Sequence, residues 1–225
     1  MAVVAAALLA GCGSESSTQQ SLAGLIGGTL KQGVDARRAG RPAKVVVTPK
    51  MLAETKVAAL QVNPEIAGGS DFLQRVATRD DSVPGRVEIW KSSDNALVFL
   101  RNGVVVGTRG VGGDIISADA ALTVRALANR ASASGVREYI LSDGDVTTTR
   151  MQFRCTVTVA ERGSVTVVNQ RFNATRMQEA CIGGPTGDLR IDNEYWVEDS
   201  TGLVRKSRQW VGLKSGYFEL ILLKS

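Results

Sequence analysis

Cys12, Cys155 and Cys181 are the only thiols in a 225-residue chain that has no histidine. Without histidine, Ser/His/Asp and Cys/His triads and His-ligated zinc are excluded, as is the usual general base near neutral pH. Chemistry based on carboxylates alone remains open. Glu194 and Glu198 are the most exposed candidates, but residues four apart on a strand lie about 13 Å from each other. Glycosidase carboxyls need about 5 Å or 6.5–9.5 Å, so that pair is too wide by itself. No residue set points to a metal or a cofactor, and the chain is read as a non-enzyme.

Cys12 ends the run Leu9-Ala10-Gly11-Cys12, which looks like the lipobox of bacterial lipoproteins. The stretch from Ala2 to Gly11 carries no charge. It is about half the roughly 20 apolar residues that a spanning helix needs, and it has the length of a secretory apolar region. No basic residue precedes it, which implies an upstream start or an unusually short signal. The competing reading is a buried first strand with a chance cysteine. In the lipobox reading residues 1–11 are removed and Cys12 carries lipid. Two or more acyl chains anchor a protein stably where one does not. Residues 12–20, rich in Ser and Gln, then form a flexible tether.

Removing residues 1–11 from the 225 leaves 214, enough for one domain with a full core over 21–225. The formal charge of +5 comes from 27 basic and 22 acidic residues, interspersed rather than blocked. Such a surface is mildly basic and does not suggest nucleic acid as a partner. If the chain is exported, Cys155 and Cys181 meet an oxidising compartment and should form a disulfide; the other reading is two buried thiols. Closing a loop of about 26 residues contributes roughly 3–4 kcal/mol on a chain-entropy model.

The elements that must position these residues are mostly strands. A helix is predicted from Ser21 to Leu30, followed by a basic turn at Arg37-Arg38-Ala39-Gly40-Arg41-Pro42. Thr48-Pro49 has the form of a helix start, and the helix is expected to run to Leu60. Strands are expected at Gly85–Trp90, at Ala96–Leu100 and at Val104–Thr108, the last two joined through Arg101-Asn102-Gly103. A short helix is predicted over Ser117–Arg130. A long hairpin is predicted from Thr147–Ala160 and Ser164–Thr175 across Glu161-Arg162-Gly163. Strands at Leu189–Glu198, Leu203–Gly212 and Tyr217–Leu223 complete the chain. Consecutive strands with short turns imply antiparallel meanders. The fold class is mainly β: a large antiparallel sheet curled into a sandwich or half-barrel, with a few short helices near the N-terminus and in the middle.

The glycine-rich run from Val104 to Asp114 lacks both the Gly-Lys-Ser/Thr of a P-loop and the βαβ context of a dinucleotide site. Arg109, Gly110, Gly112, Gly113 and Asp114 are read as a structural bend, with Arg109 and Asp114 holding it together.

Asp199-Ser200-Thr201-Gly202 suits a type I turn. Counting back from it sets Trp196 opposite Lys206, Glu194 opposite Arg208 and Asp192 opposite Trp210. One face then carries Asp192, Glu194, Trp196, Glu198, Val204, Lys206, Arg208 and Trp210. The other carries Ile191, Tyr195, Val197, Leu203 and Val211 and is the better core. The first face is a candidate surface for glycan or a partner, with indoles for sugar C–H faces and charged groups for hydroxyls. The competing reading is an amphipathic hairpin whose tryptophans cover a neighbouring element.

Several motifs occur in order: the lipobox, Ile89-Trp90-Lys91-Ser92-Ser93, Asn102 to Asp114, Cys155/Cys181 with Glu179 nearby, and Asn193-Glu194-Tyr195-Trp196 through Ser207-Arg208-Gln209-Trp210-Val211-Gly212. As an ordered set they resemble the YjbF/GfcB family of bacterial lipoproteins. The resemblance implies an accessory lipoprotein of exopolysaccharide or capsule production at the periplasmic face of the outer membrane. Implied partners are outer-membrane β-barrel and periplasmic polysaccharide-export proteins, the membrane itself through the lipid, and polysaccharide. It implies no catalytic residues. Two other functions compete: a polysaccharide-processing enzyme using carboxylates, and a lipid carrier with an apolar cavity under the sheet.

Overall fold

Thr48 and Pro49 open the first element of the computed structural model, which describes residues 43–142, 144 and 147–225. The helix expected at 21–30, the basic turn at 37–42 and Cys12 lie outside the described residues. Thr48 Oγ1 accepts the Met51 N–H at 3.3 Å, and Pro49 stands where no helical N–H is needed. Helix α1 therefore starts as expected, but it spans only Pro49–Glu54. The stretch expected to continue it enters strand β1, Ala59–Pro64. Both faces of β1 are covered, so Ala59, Leu60 and Val62 are all buried. A continuous apolar run of this kind has no period that separates helix from strand.

Eleven further strands follow: β2 (Asp71–Arg79), β3 (Val87–Lys91), β4 (Leu97–Arg101), β5 (Val104–Arg109), β6 (Ile115–Ala118), β7 (Ala133–Ser142), β8 (Thr148–Val167), β9 (Gln170–Gly183), β10 (Leu189–Glu198), β11 (Val204–Trp210) and β12 (Tyr217–Lys224). Helix α2, Ala121–Asn129, lies between β6 and β7. The helix expected from Ser117 is thus shorter, because Ile115–Ala118 pairs with β7 before the helix begins.

The strands form one antiparallel sheet in the order β5-β4-β3-β2-β1-β12-β11-β10-β9-β8-β7-β6. Taken as a ring, every neighbour is the next strand in sequence, with β1 paired to β12. The two edges, β5 and β6, are themselves consecutive and lie side by side. Arg109 donates to the Ile115 carbonyl at 3.2 Å across that seam, and a Cβ at Gly107 would sit 3.4 Å from the Ile115 oxygen. The sheet is nearly closed, like a barrel.

The glycine-rich turn sits at one end of the seam. Asp114 accepts the N–H groups of Gly110 at 2.8 Å and Val111 at 3.1 Å, and the Thr108 hydroxyl at 3.0 Å. Arg109 does not hold Asp114; it donates to the carbonyls of Thr108 and Ile115. Gly113, at φ 85°, also packs so close to Lys214 that a Cβ would meet it at 3.0 Å.

The expected hairpin between β8 and β9 turns elsewhere. Glu161-Arg162-Gly163 continues β8 past an irregularity between Val159 and Glu161, and the chain reverses at Val168-Asn169. Val168 has φ 57°, a conformation that β-branched residues rarely adopt. It packs, with Phe172, beside the cluster that α1 forms with Ala59, Phe72 and Leu223. Tertiary packing, not turn chemistry, sets this reversal.

Inside the curl, Trp90, Tyr139, Phe153 and Trp210 fill the centre. Tyr139 meets the rings of Phe153 and Trp210 edge-on, at 5.7 Å and 5.2 Å between centroids. Helix α2 packs its Val124 and Leu127 against the inward side chains Val157, Met177, Tyr195 and Val197.

Candidate functional site

Strand alternation divides β9, β10 and β11 into two faces. Met177, Glu179, Cys181, Ile191, Asn193, Tyr195, Ser207 and Gln209 point inward and are buried. Gln178, Glu194, Trp196, Lys206 and Arg208 point outward and are half-buried. Glu194 pairs with Arg208 and Trp196 with Lys206, in the register counted back from the turn.

Nearer the turn the register shifts by one, so Val197 faces Val204. Glu198 is pulled into the turn rather than left on the outer face. It accepts the hydroxyls of Ser200 at 2.5 Å and Thr201 at 2.6 Å and pairs with Arg205 at 2.7 Å. Burial opposes its charge, but these bonds and the Arg205 guanidinium hold its pKa below the ordinary value. Such a carboxylate anchors a turn and is not free to serve as an acid or base.

The expected place of Trp210 is corrected more sharply. Pairing of β10 with β11 stops at Glu194 and Arg208, and the Trp210 N–H bonds to the Asn193 side-chain oxygen at 2.7 Å. With the ladder released, the indole turns inward onto Tyr139 and is 5% exposed. Trp196 is left as the indole of the outer group.

The four outer residues are tied into a ladder of contacts. Glu194 accepts the Gln178 amide at 3.2 Å. Lys206 stands 5.7 Å from the Trp196 ring and pairs with Glu219 at 2.8 Å. Arg208 makes two bonds to Glu65, at 2.6 and 2.8 Å, and lies 3.6 Å over the Tyr217 ring. Burial would raise the Glu219 carboxyl, but bonds from Lys206, Lys44 and Asn63 bring it down to about 2. A shallow groove of about 320 Å³ meets this ladder at Glu194 and Arg208 and is also lined by Thr156, Thr158, Gln178 and Asp192.

Behind the same strands lies a polar cluster that sequence reasoning did not assemble. Glu179 and Arg137 are each 1% exposed and pair at 2.7 Å. Glu179 also accepts Asn193 at 2.8 Å, the Tyr195 hydroxyl at 3.1 Å and the Thr123 hydroxyl of α2. Arg137 Nε donates to the Asp119 carbonyl at 2.8 Å. Burial disfavours the Glu179 charge, yet Arg137 with the Thr123 and Asn193 bonds holds its pKa below the ordinary value. Burial and the Glu179 charge push the Tyr195 phenol well above its usual value. The available signal was a charged residue on the inward parity of β7 and of β9. What it lacked was a rule placing those two strands on either side of β8.

Cys155 and Cys181 face each other on β8 and β9 and are joined as a disulfide. Glu179 brings a carboxylate oxygen within 4.8 Å of both sulfurs. The sulfurs are engaged in the disulfide and the carboxylate with Arg137, so the trio has no donor set to offer a metal.

With this arrangement in view, a family model described as group 4 capsule polysaccharide lipoprotein GfcB, YjbF, matches residues 22–223. The chain belongs to that family. The YjbF match spans all the elements described above except the last residue of β12. It denotes a class of capsule-associated lipoproteins rather than a class of enzymes. Among solved structures, the hypothetical lipoprotein YmcC from Escherichia coli K12 is similar at a TM-score of 0.67 and 20% identity, covering 80% of this chain and 90% of that one. That likeness shows the fold. A candidate lipoprotein from Parabacteroides distasonis matches at a TM-score of 0.33 and 9% identity, over 76% of this chain and 95% of its own. An exported protein with a YmcC-like fold from Bacteroides fragilis matches at 0.30 and 10%, over 74% and 93%. No curated protein matches the chain. Among the described residues, no helix is long and apolar enough to cross a membrane.

Two competing functions meet specific obstacles in this YjbF-family fold. The pair Glu194 and Glu198 is divided between an outer ladder and a closed turn. The space where an acyl chain would lie under the sheet is occupied by Trp90, Tyr139, Phe153 and Trp210.

Proposed function

We propose that this protein is a lipid-anchored, non-catalytic accessory of capsule or exopolysaccharide assembly and export, acting at the periplasmic face of the outer membrane. Acylated Cys12 holds it to the membrane, and residues 13–20 tether the sheet. The outer face of β8–β11 then holds glycan beside a β-barrel export partner. The carrying observation is the outward group Glu194, Trp196, Lys206 and Arg208, of which Glu194 and Arg208 line a shallow groove of about 320 Å³. Glu194 and Arg208 offer an acceptor and a donor for hydroxyls, and Trp196 offers an apolar ring face. Their ladder of ion pairs fixes these groups in place before a ligand arrives, which lowers the ordering cost of binding.

The test has two arms. Cells are grown with radiolabelled palmitate and fractionated; label is expected in the protein at the outer membrane and is lost in Cys12→Ser. In the second arm, Trp196→Ala and Glu194→Gln are expected to accumulate normally yet reduce surface capsule. Unlabelled wild-type protein would refute the anchor, and normal capsule with both substitutions combined would refute the role of this face.

A further inference from the structure

The register of β7 to β10 arranges the outward side chains in rows that run across the strands. Ser134, Thr156, Ala180 and Asp192 face one another in one row. Val136, Arg154, Ile182 and Arg190 form the row on one side of it. Thr158, Gln178, Glu194 and Arg208 form the row on the other. The middle row is made of the shorter side chains, so the surface sinks there between two taller walls. The depression has a volume of about 630 Å³ and continues into the groove beside Glu194, with Thr156, Ala180 and Asp192 lining both. Four strands give it a length of about 14 Å.

The wall formed by Arg154, Ile182 and Arg190 differs from several basic residues near it. Arg208 is paired with Glu65, Lys206 with Glu219, Arg150 with Glu138 and Arg176 with Glu161. Arg154 and Arg190 are exposed and have no carboxylate partner among the described residues. Each stands directly across from Ile182, which places their backbones about 10 Å apart with an apolar side chain between them. Two unpaired forks flanking an apolar contact, above a floor of hydroxyls, fit a ligand that is both a sugar and an anion.

We propose that the occupant is an acidic polysaccharide, with the carboxylate of a uronate-type residue held at Arg154 and Arg190. The guanidinium forks bind the carboxylate through paired N–H groups, Ile182 packs against the C–H face of the ring, and Ser134 and Thr156 bond its hydroxyls. Asp192 accepts hydroxyls at the far end of the floor and repels a carboxylate there, which sets the acid group against the arginine wall. This inference rests on the reading that the outer face holds glycan and names the class of glycan.

The experiment uses the full chain, free of detergent, and calorimetric titration with three probes: polygalacturonate, the same polymer after carboxyl reduction, and phosphatidylglycerol vesicles. Polygalacturonate is expected to bind at least about tenfold more tightly than the reduced polymer, and more weakly as salt rises. Arg154→Gln with Arg190→Gln should erase that preference while the melting temperature stays unchanged, because both side chains are exposed. Ala180→Trp, which fills the floor, should abolish binding of both polymers. Equal affinity for the two polymers overturns the acidic assignment but leaves the glycan surface standing. No binding of either polymer overturns both. Vesicle binding that the arginine substitutions remove, without any preference between polymers, assigns the wall to lipid phosphate and overturns the proposal.

Discussion

Glu179 and Glu194 sit on neighbouring strands of one sheet, on opposite faces. Glu179 looks inward, has lost its water, and replaces it with Arg137, Asn193, Tyr195 and Thr123. Glu194 looks outward, is half-buried, and has the Gln178 amide as its side-chain partner. The inner carboxylate is over-determined by its neighbours and has no capacity left for a ligand. The outer one keeps lone pairs to offer. In this sheet, buried charge specifies packing and half-exposed charge is available for recognition, so a charged cluster is not by itself evidence of a binding site.

The contrast can be tested by removing groups in order of expected effect. Arg137→Met leaves Glu179 buried and unpaired and is expected to cost about 3–5 kcal/mol in urea denaturation. The double variant Arg137→Met/Glu179→Met should recover most of that loss. A double variant as unstable as the single one would mean that the cluster acts through shape rather than charge. Its acid limb provides a second check. The folded pKa of Glu179 lies below its unfolded value, so its contribution is present above the ordinary carboxylate range and is lost as pH falls below it. Glu179→Gln should therefore flatten the fall in stability at low pH.

Removing the disulfide comes next. Cys155→Ala/Cys181→Ala is expected to cost about 3.5 kcal/mol, the loop-closure value for a separation of 26 residues. Asp71 is an intermediate case, a half-buried carboxyl bonded to the Phe72 N–H. Burial, with a smaller push from Asp94, raises it to about 6 against the lowering effect of that bond. Its folded value exceeds the unfolded one, so stability should rise as pH falls from about 6 towards 4. Asp71→Asn keeps an acceptor for Phe72 and should gain about 1–3 kcal/mol at neutral pH, read from the urea midpoint. The smallest effect is on the outer face. Trp196→Ala and Glu194→Gln are expected to move stability by no more than about 0.5 kcal/mol each, while impairing capsule assembly. A large loss of stability at either would move that residue to the packing side of the comparison.

Legibility in the sequence followed the same division. The outward and inward sets of β10 and β11 could be read because period-two alternation is a local signal, and Glu194/Arg208 and Trp196/Lys206 pair as counted. Of the ordered motifs that resembled the YjbF/GfcB family, those from Ile89 to Gly212 fall within the stretch its model matches, and the lipobox precedes it. Trp210 escaped because the ladder ends two residues earlier, at a contact with Asn193 that no local rule encodes. Val168 hid a turn because the packing around α1 overrides its preference for extended backbone. Strands β2, β6 and β7 were missed, and with β7 Arg137. Assembling the Glu179 cluster requires knowing that β7, β8, β9 and β10 are adjacent, which is a property of the whole sheet.

The ring order of the strands has a consequence for how the molecule is made. β1 pairs with β2 on one side and with β12, the last strand, on the other. As the chain emerges from its N-terminal side, β1 to β5 can assemble as a meander, but β1 keeps an open row of backbone N–H and C=O groups until β12 arrives. An open edge of this kind invites pairing with other chains, and the closing contact spans nearly the whole sequence, a topology that folds slowly. The unfinished chain therefore has a window in which it is most vulnerable to aggregation. A truncation that removes Tyr217–Lys224 should extend that window indefinitely.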